Sequence, residues 1–383
     1  MSLFRKTADK LNRYYTQILI CGCNFLYLHE IKKLLKLHPG DGSVLGENTW
    51  IEKWRKLRKH PNVATYRLFS QYIGSNPNIV PEDISSSIIQ PLLNPVEYRP
   101  YYCDKNMFDK ILDPELLPKT LLRRIGERYY DAHYRDLVIS EEYLDGLCSN
   151  CSQVFVKPTV DSSSGRGIVA FTRKAGGRLV SIDGEIFGFT FLNKYASDNS
   201  DFIVQEGLSQ SKFMSQFNPT SINTLRIATY RSVKDNRTHV CAAIMRIGKL
   251  GATVDNAHAG GLFVGVNLDG TIGKYACDQY GNRYESFNGI NFKEQHFCIP
   301  NFDKVIRFAE KVGDAVVHHR LLAQDICIDS DGVPHLVEFN IRAYSVWLFQ
   351  FTSGPALGEY TDEIIDYCSK RMSNVRKVFV EPF

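Results

Sequence analysis

From about residue 153 onward, apolar positions fall in short β-branched runs at 154–157, 168–172, 202–206, 225–230 and 239–247. Runs of this length and composition predict strands. Asp269-Gly270 and Asp331-Gly332 each lie between such runs. Asp-Gly between apolar segments is a strong hairpin signal, so the sheet is expected to be at least partly antiparallel. Before residue 100 the apolar positions recur at helical spacing instead, with 50–59 a basic amphipathic segment and 66–72 a second candidate. The apolar run 18–28 continues into the charged stretch 30–36 and stops at His38-Pro39-Gly40, which predicts a pair of amphipathic helices. Prolines punctuate residues 91–100, and Asp104 then caps a short helix over 104–112, placing a first boundary near 100. Helices are also expected over 303–319 and 361–372.

A chain of 383 residues suits two or three subdomains around a shared cleft. With 44% hydrophobic and 23% charged residues it is neither disordered, collagenous nor a coiled coil. The net charge of +4 is too small to point to nucleic acid. Its distribution is uneven: residues 1–60 carry twelve Lys or Arg against five Asp or Glu. Such a basic lobe reads first as solvated helix faces, and otherwise as a surface for an anionic membrane or a polyanionic substrate. The run 18–28 contains Asn24, is too short to span a bilayer, and is followed by no small-residue cleavage site. Ten cysteines form no disulfide framework. Only Cys148-Ser-Asn-Cys151 has metal-like spacing, without a second pair to complete a zinc site. Free thiols in a reducing cytoplasm are the expectation.

Two segments carry chemistry. In the first, a predicted strand ends in Lys157 and is followed by Asp161-Ser-Ser163-Ser164-Gly165-Arg-Gly167 and another strand. A small-residue loop between antiparallel strands can offer backbone N–H groups to phosphate oxygens while the lysine supplies a point charge. Neither a Walker loop nor a strand-to-helix GxGxxG is present. In the second, Asp325 opens one strand and Glu338 closes the next, with a tight turn between them. Glu338, Asn340 and Arg342 alternate and so share one face of an extended strand. Two carboxylates and an amide oxygen on one face suit Mg²⁺.

As an ordered set these features resemble the ATP-grasp superfamily. More narrowly, Val156-Lys-Pro158, Asn223-Thr-Leu-Arg-Ile227, Arg246-Ile-Gly248, Asp255-Asn256, Gly260-Gly261 and the final hairpin look like its sugar-transfer-associated branch. The resemblance implies an α+β ATP-grasp fold, two subdomains gripping ATP between antiparallel sheets, with a mainly helical region before them. The divisions it suggests are a basic helical region at 1–100, a lid-bearing subdomain at 101–205, and a metal and acceptor subdomain at 206–383. Lys105 and Lys157 would hold phosphates, and Ser163, Ser164, Gly165 and Gly167 would form the lid. Gln205, Glu206 and Leu208 would meet adenine and ribose. Asp325, Glu338 and Asn340 would hold two Mg²⁺ ions, or Mn²⁺. Arg342 would neutralise an acyl phosphate, and Arg226 and Asn256 would approach the γ-phosphate and acceptor. The implied activity is an ATP-dependent carboxylate-amine ligase acting on small, possibly sugar-linked, substrates in cell-surface polysaccharide assembly. A kinase on the same scaffold, and a non-catalytic protein that binds nucleotide, glycan or membrane, remain alternatives.

Overall fold

The structure, a computed structural model, describes residues 2–40, 45–160, 165–252, 255, 257 and 260–374. Seven strands build a first sheet: β1 (Thr120–Ile125), β2 (Arg128–Tyr130), β3 (Asp136–Leu137), β4 (Gln153–Pro158), β5 (Val169–Arg173), β6 (Leu179–Ser181) and β7 (Phe202–Glu206). They lie in the order β3-β2-β1-β7-β4-β5-β6, with every neighbouring pair antiparallel. One face of this sheet is apolar. Leu122, Val154, Val156, Phe171 and Val204 pack there against Phe191, Leu192 and Tyr195 of the helix Phe189–Asp198.

The second sheet contains β8 (Leu225–Arg231), β9 (Thr238–Ile247), β10 (Leu262–Val266), β11 (Ile272–Cys277) and β12 (Arg283–Tyr284). After a separate hairpin of β13 (Ser286–Phe287) and β14 (Ile290–Asn291), it is completed by β15 (Leu321–Ile328) and β16 (Pro334–Asn340). Its order is β12-β11-β10-β9-β8-β15-β16, again antiparallel throughout. Both Asp-Gly pairs turn hairpins as their flanking alternation predicts, between β10 and β11 and between β15 and β16.

Both faces of this second sheet are covered, which is why β15 is buried at every position. On one face Leu225, Ile227, Met245, Val264 and Ile326 meet Val305, Phe308, Ala309 and Val312 of the helix Phe302–Ala315. The other face carries Ala228, Tyr230, Ile244, Phe263 and Ala323, and it packs against the helical amino-terminal region. That region begins with α1 (Ser2–Leu37), α2 (Glu47–Trp54) and α3 (Val63–Ile73). The predicted helix pair is one continuous helix, because no proline interrupts it before Pro39 and a single Gly22 is not enough to break it. Trp50 and Trp54 are fully buried one turn apart, with their indole N–H groups donated to the carbonyls of Ile79 (2.7 Å) and Pro77 (3.2 Å). Removing either ring would cost about 3–5 kcal/mol.

The amino-terminal region is also joined to the second sheet by polar contacts. The buried Asn94 amide donates to the carbonyls of Leu321 and Ile341, both at 2.7 Å, and accepts from the N–H groups of Arg320 and Leu321, both at 3.0 Å. Gln350 in turn pairs with both backbone groups of Val80.

Candidate functional site

Asp325 lies in the middle of β15 rather than at its opening. Its partners in register are Arg226 on β8 and Glu338 on β16, and Ala323 pairs with Asn340 two positions away. Directly opposed residues of antiparallel strands point to the same face. Arg226, Asp325, Glu338 and Asn340 therefore form a polar patch on the face that, further along the strands, packs against the amino-terminal helices. The alternation of polar and apolar residues in Glu338-Phe339-Asn340 produces this directly. Phe339 goes to the opposite core and stacks on Phe108 with ring centroids 4.6 Å apart.

The Asp325 carboxylate is held between two guanidinium groups. Arg226 reaches both of its oxygens at 3.3 Å, and Arg246 lies 3.4 Å from Oδ2. Arg246 also pairs with Asp255 at 3.3 Å, and Asp255 accepts the N–H of Thr224 at 2.9 Å and its hydroxyl. Burial pushes the Asp255 carboxyl up, against the lowering pull of Arg246 and of the Thr224 hydrogen bonds. For Arg246, burial works to lower the pKa, but Asp255, Asp325 and Glu338 outweigh it and the net shift is upward. The Asn340 amide donates to the Ala323 carbonyl at 3.3 Å and lies 3.5 Å from Asp325 Oδ2.

The first sheet contributes the lysines. Lys157 at the end of β4 and Gln205 on β7 share a face, and Lys157 donates to Gln205 Oε1 at 3.2 Å. Burial first, and then the charge of Lys105, push the Lys157 ammonium down to about 8, with Glu338 pulling the other way. Lys105 sits on the short turn after the Asp104 cap, whose side chain accepts from Asn106 N at 2.9 Å. That turn is fixed to the first sheet by Lys105 N donating to the Thr159 carbonyl at 3.0 Å and by Arg123 donating to the Asn106 carbonyl at 2.7 Å. Lys105 Nζ then reaches Glu338 at 3.5 Å. With Lys105 on one side of β16 and Phe108 on the other, this segment straddles the edge strand and ties the two sheets together.

Glu206 pairs with the exposed Lys119 at 3.1 Å and Leu208 is half-buried just beyond β7. The Gln205 side chain is used internally, by Lys157 and by the Pro118 carbonyl at 3.3 Å. Gly165 and Gly167 have φ of 77° and 74°. At Gly167 a Cβ would also stand 2.8 Å from the Pro158 ring, so glycine is needed there on both counts. Ser163, Ser164 and Asn256 lie outside the described residues. Arg342 is half-buried just past β16, before a loop in which Ala343 and Ser345 have φ of 52° and 56°. Arg226 donates its second nitrogen to the Ala343 carbonyl at 3.2 Å, so it braces this loop as well as Asp325.

Arg246 and Asp255 are part of the constellation, yet sequence reasoning gave them no role. The signal was available: an arginine inside the apolar run 244–247 has to be paired. Cys148 and Cys151 are buried free thiols. Among the described residues no group of three or more His, Cys, Asp or Glu forms a metal site, and no helix is long and apolar enough to cross a membrane.

The family described as sugar-transfer associated ATP-grasp matches residues 88–365. No curated protein sequence is significantly similar. Among solved structures, an N5-carboxyaminoimidazole ribonucleotide synthetase in its ADP complex is 12% identical over 68% of this chain, with a TM-score of 0.37. The chain spans about half of that protein, 52% of its length. A D-cycloserine synthetase is 10% identical, with 73% of each chain covered and a TM-score of 0.41. The D-alanine-D-alanine ligase from Coxiella burnetii is 11% identical, with 76% of this chain and 67% of that one covered and a TM-score of 0.40. The match over most of the chain establishes that this protein belongs to the sugar-transfer associated ATP-grasp family and has the ATP-grasp fold, to which its two antiparallel sheets conform.

Proposed function

We propose that the protein is an ATP-dependent carboxylate-amine ligase. The observation that supports this most is the convergence of Lys105 and Lys157 from one sheet with Asp325, Glu338 and Asn340 from the other. Two cations facing a set of hard oxygen donors across a seam suit a nucleotide triphosphate, whose oxygens need both neutralising charge and a metal.

The donor set fits Mg²⁺. Asp325 and Glu338 oppose one another in register, and the Asn340 amide is close beside them. Two carboxylates and an amide leave most of an octahedral shell to phosphate and water, as Mg²⁺ prefers. Mg²⁺ bound by these three residues supplies neutralising charge to the phosphate oxygens.

The remaining work falls to the protein's own groups. Lys157, already depressed toward neutrality, gains its proton firmly when phosphate oxygens arrive beside it. Lys105 is within reach of both Glu338 and the same crevice. Arg226 and Arg246 act as positioning residues that hold Asp325 in place, and Arg342 stands at the rim for a substrate carboxylate or its acyl phosphate. Gly165 and Gly167 belong to a lid over the phosphates, and the backbone around Glu206 and Leu208 faces the adenine.

In the reaction, a substrate carboxylate oxygen attacks the γ-phosphorus and the bond to the β-phosphate oxygen breaks, giving acyl phosphate and ADP. An amine nitrogen then attacks the acyl carbon, loses a proton, and expels inorganic phosphate to leave an amide. The family's description, sugar-transfer associated, is in keeping with sugar-linked substrates. The test is ADP release from ATP in the presence of candidate carboxylates, with hydroxylamine as the amine. Hydroxamate formation supports the ligase reading. A phosphomonoester product, or no ADP with any carboxylate, would sink it.

A further inference from the structure

Helix α1 carries two apolar stripes, and only one of them is packed. Cys23, Tyr27 and Ile31 are buried against the rest of the amino-terminal region. On the other side Leu11, Tyr14, Tyr15, Ile18, Phe25 and Leu26 are exposed, five of them by more than 60%. Leu11, Tyr14, Tyr15 and Ile18 follow at steps of three or four residues, and Phe25 and Leu26 resume on the same side two turns later, so the six lie along one side of the helix over about 22 Å. Scattered apolar side chains on a surface need no explanation, but a stripe of six large ones on a single helix does.

Charge is aligned with that stripe. At the same helical spacing it continues into the exposed Lys32, Lys33 and Lys36. Among the described residues, their only ion pair is Lys33 with Glu30, at 3.9 Å. At the other end, four of the first thirteen residues are Lys or Arg. The basic cluster of the following segment is different, since it is neutralised within the fold: Lys53 pairs with Asp362, Arg55 with Glu52, Lys56 with Asp366 and Arg58 with Asp83. Among the described residues, Lys32 and Lys36 of α1 are in no ion pair.

A second copy of the chain is a poor occupant for this stripe. Parallel pairing would set Lys32, Lys33 and Lys36 against themselves, and antiparallel pairing would set them against the basic amino-terminal turns. We infer that α1 lies on an anionic membrane surface, with its aromatic and aliphatic stripe in the headgroup boundary and its lysines on the lipid phosphates. The 36-residue helix lies along the surface, since it is not apolar enough to cross it. Because the ATP site is formed by the two sheets, this inference is independent of the ligase reading.

The experiment is flotation of the 383-residue protein with vesicles of phosphatidylcholine alone and of phosphatidylcholine mixed with phosphatidylglycerol, together with light scattering of the free protein. Binding only to the anionic vesicles, weakening as salt is raised, is the expected result. Replacing Lys32, Lys33 and Lys36 with Gln should weaken it about a hundredfold, at roughly fivefold per lysine. Ile18→Ser with Phe25→Ser should abolish it, and both variants should keep the wild-type Tm because the altered side chains are exposed. Absence of flotation, equal binding to neutral vesicles, or a dimer that the Ile18→Ser, Phe25→Ser variant splits would each overturn the inference.

Discussion

Lys105 Nζ and Glu338 Oε1 stand 3.5 Å apart, with the lysine anchored on the first sheet and the carboxylate on the edge strand of the second. Lys105 is buried while the Glu338 side chain is about one-third exposed. The pair is thus a seam between the two halves of the site, and it can open without disturbing either core. Lys105→Met should change stability by no more than about 1 kcal/mol, as expected for a partly exposed pair. The same change should lower ATP turnover at least tenfold, because it removes a cation from the phosphate crevice. Thermal melts and ADP release on one preparation separate the two effects. Loss of fold stability together with unaltered turnover would show the pair to be structural only.

Lys157 gives the site a pH signature. Its pKa is lowered to about 8 in the fold, by burial first and by Lys105 second, from an ordinary value of 10.5. The unfolded chain therefore holds more protons between about pH 8 and 10.5, so this lysine costs stability below pH 8 and the cost is relieved as pH rises through that window. Nucleotide binding should be accompanied by proton uptake near pH 8 to 9, visible as a dependence of titration heat on the buffer's ionisation enthalpy. Lys157→Met should remove the uptake, weaken ATP binding, and stabilise the ligand-free protein at neutral pH by on the order of 1 kcal/mol. An unchanged affinity would remove Lys157 from the phosphate site.

Glu82 predicts an opposite trend from the amino-terminal region. Burial pushes its carboxyl up to about 7, against the lowering effect of the Trp347 N–H and the Ser86 hydroxyl that it accepts. The folded state then holds more protons between pH 4.5 and 7, so the contribution of Glu82 to stability falls as pH rises through that range. Glu82→Gln should flatten the slope and raise stability above pH 7 by about 2 kcal/mol. Melting temperatures of both proteins at pH 5.5 and pH 8 would check this, and parallel slopes would contradict it.

Asn94 links that region to the site. Its amide satisfies four backbone groups around the start of β15 and the residue before Arg342. Asn94→Ala would remove these four bonds, leaving the Arg320 N–H only its 3.2 Å bond to the Leu93 carbonyl, a loss of about 3 kcal/mol. Ile341 is the residue next to Arg342, so turnover at saturating ATP should fall as well. Normal turnover in a destabilised variant would show that the amino-terminal region supports the fold but not the site.

The strands, both Asp-Gly hairpins and the acidic hairpin were legible because each rests on local alternation and turn chemistry. Glu338 and Asn340 could be placed on one face from their spacing alone. The partners of Asp325 could not, because Arg226 and Arg246 approach it from other strands and only the register of the sheet brings them there. The same holds for Lys105, which meets Glu338 across the seam. The first hundred residues read as helical but without purpose. Their role depends on long-range packing of Trp50, Tyr66 and Phe69 with Tyr230, Phe263 and Phe351, which no periodicity encodes. The change from apolar to charged composition near residue 28 suggests a break in α1, but the backbone stays helical through it because no proline interrupts the segment.

The central claim is a metal-dependent ATP site shared by the two sheets, and its most direct test is calorimetric titration with a non-hydrolysable ATP analogue. Wild-type protein should bind in the presence of Mg²⁺ and much more weakly without it, while Glu338→Ala, correctly folded by its melting profile, should lose the metal-dependent part. Equal binding by wild type and Glu338→Ala, or no binding by wild type with Mg²⁺ present, would contradict the assignment.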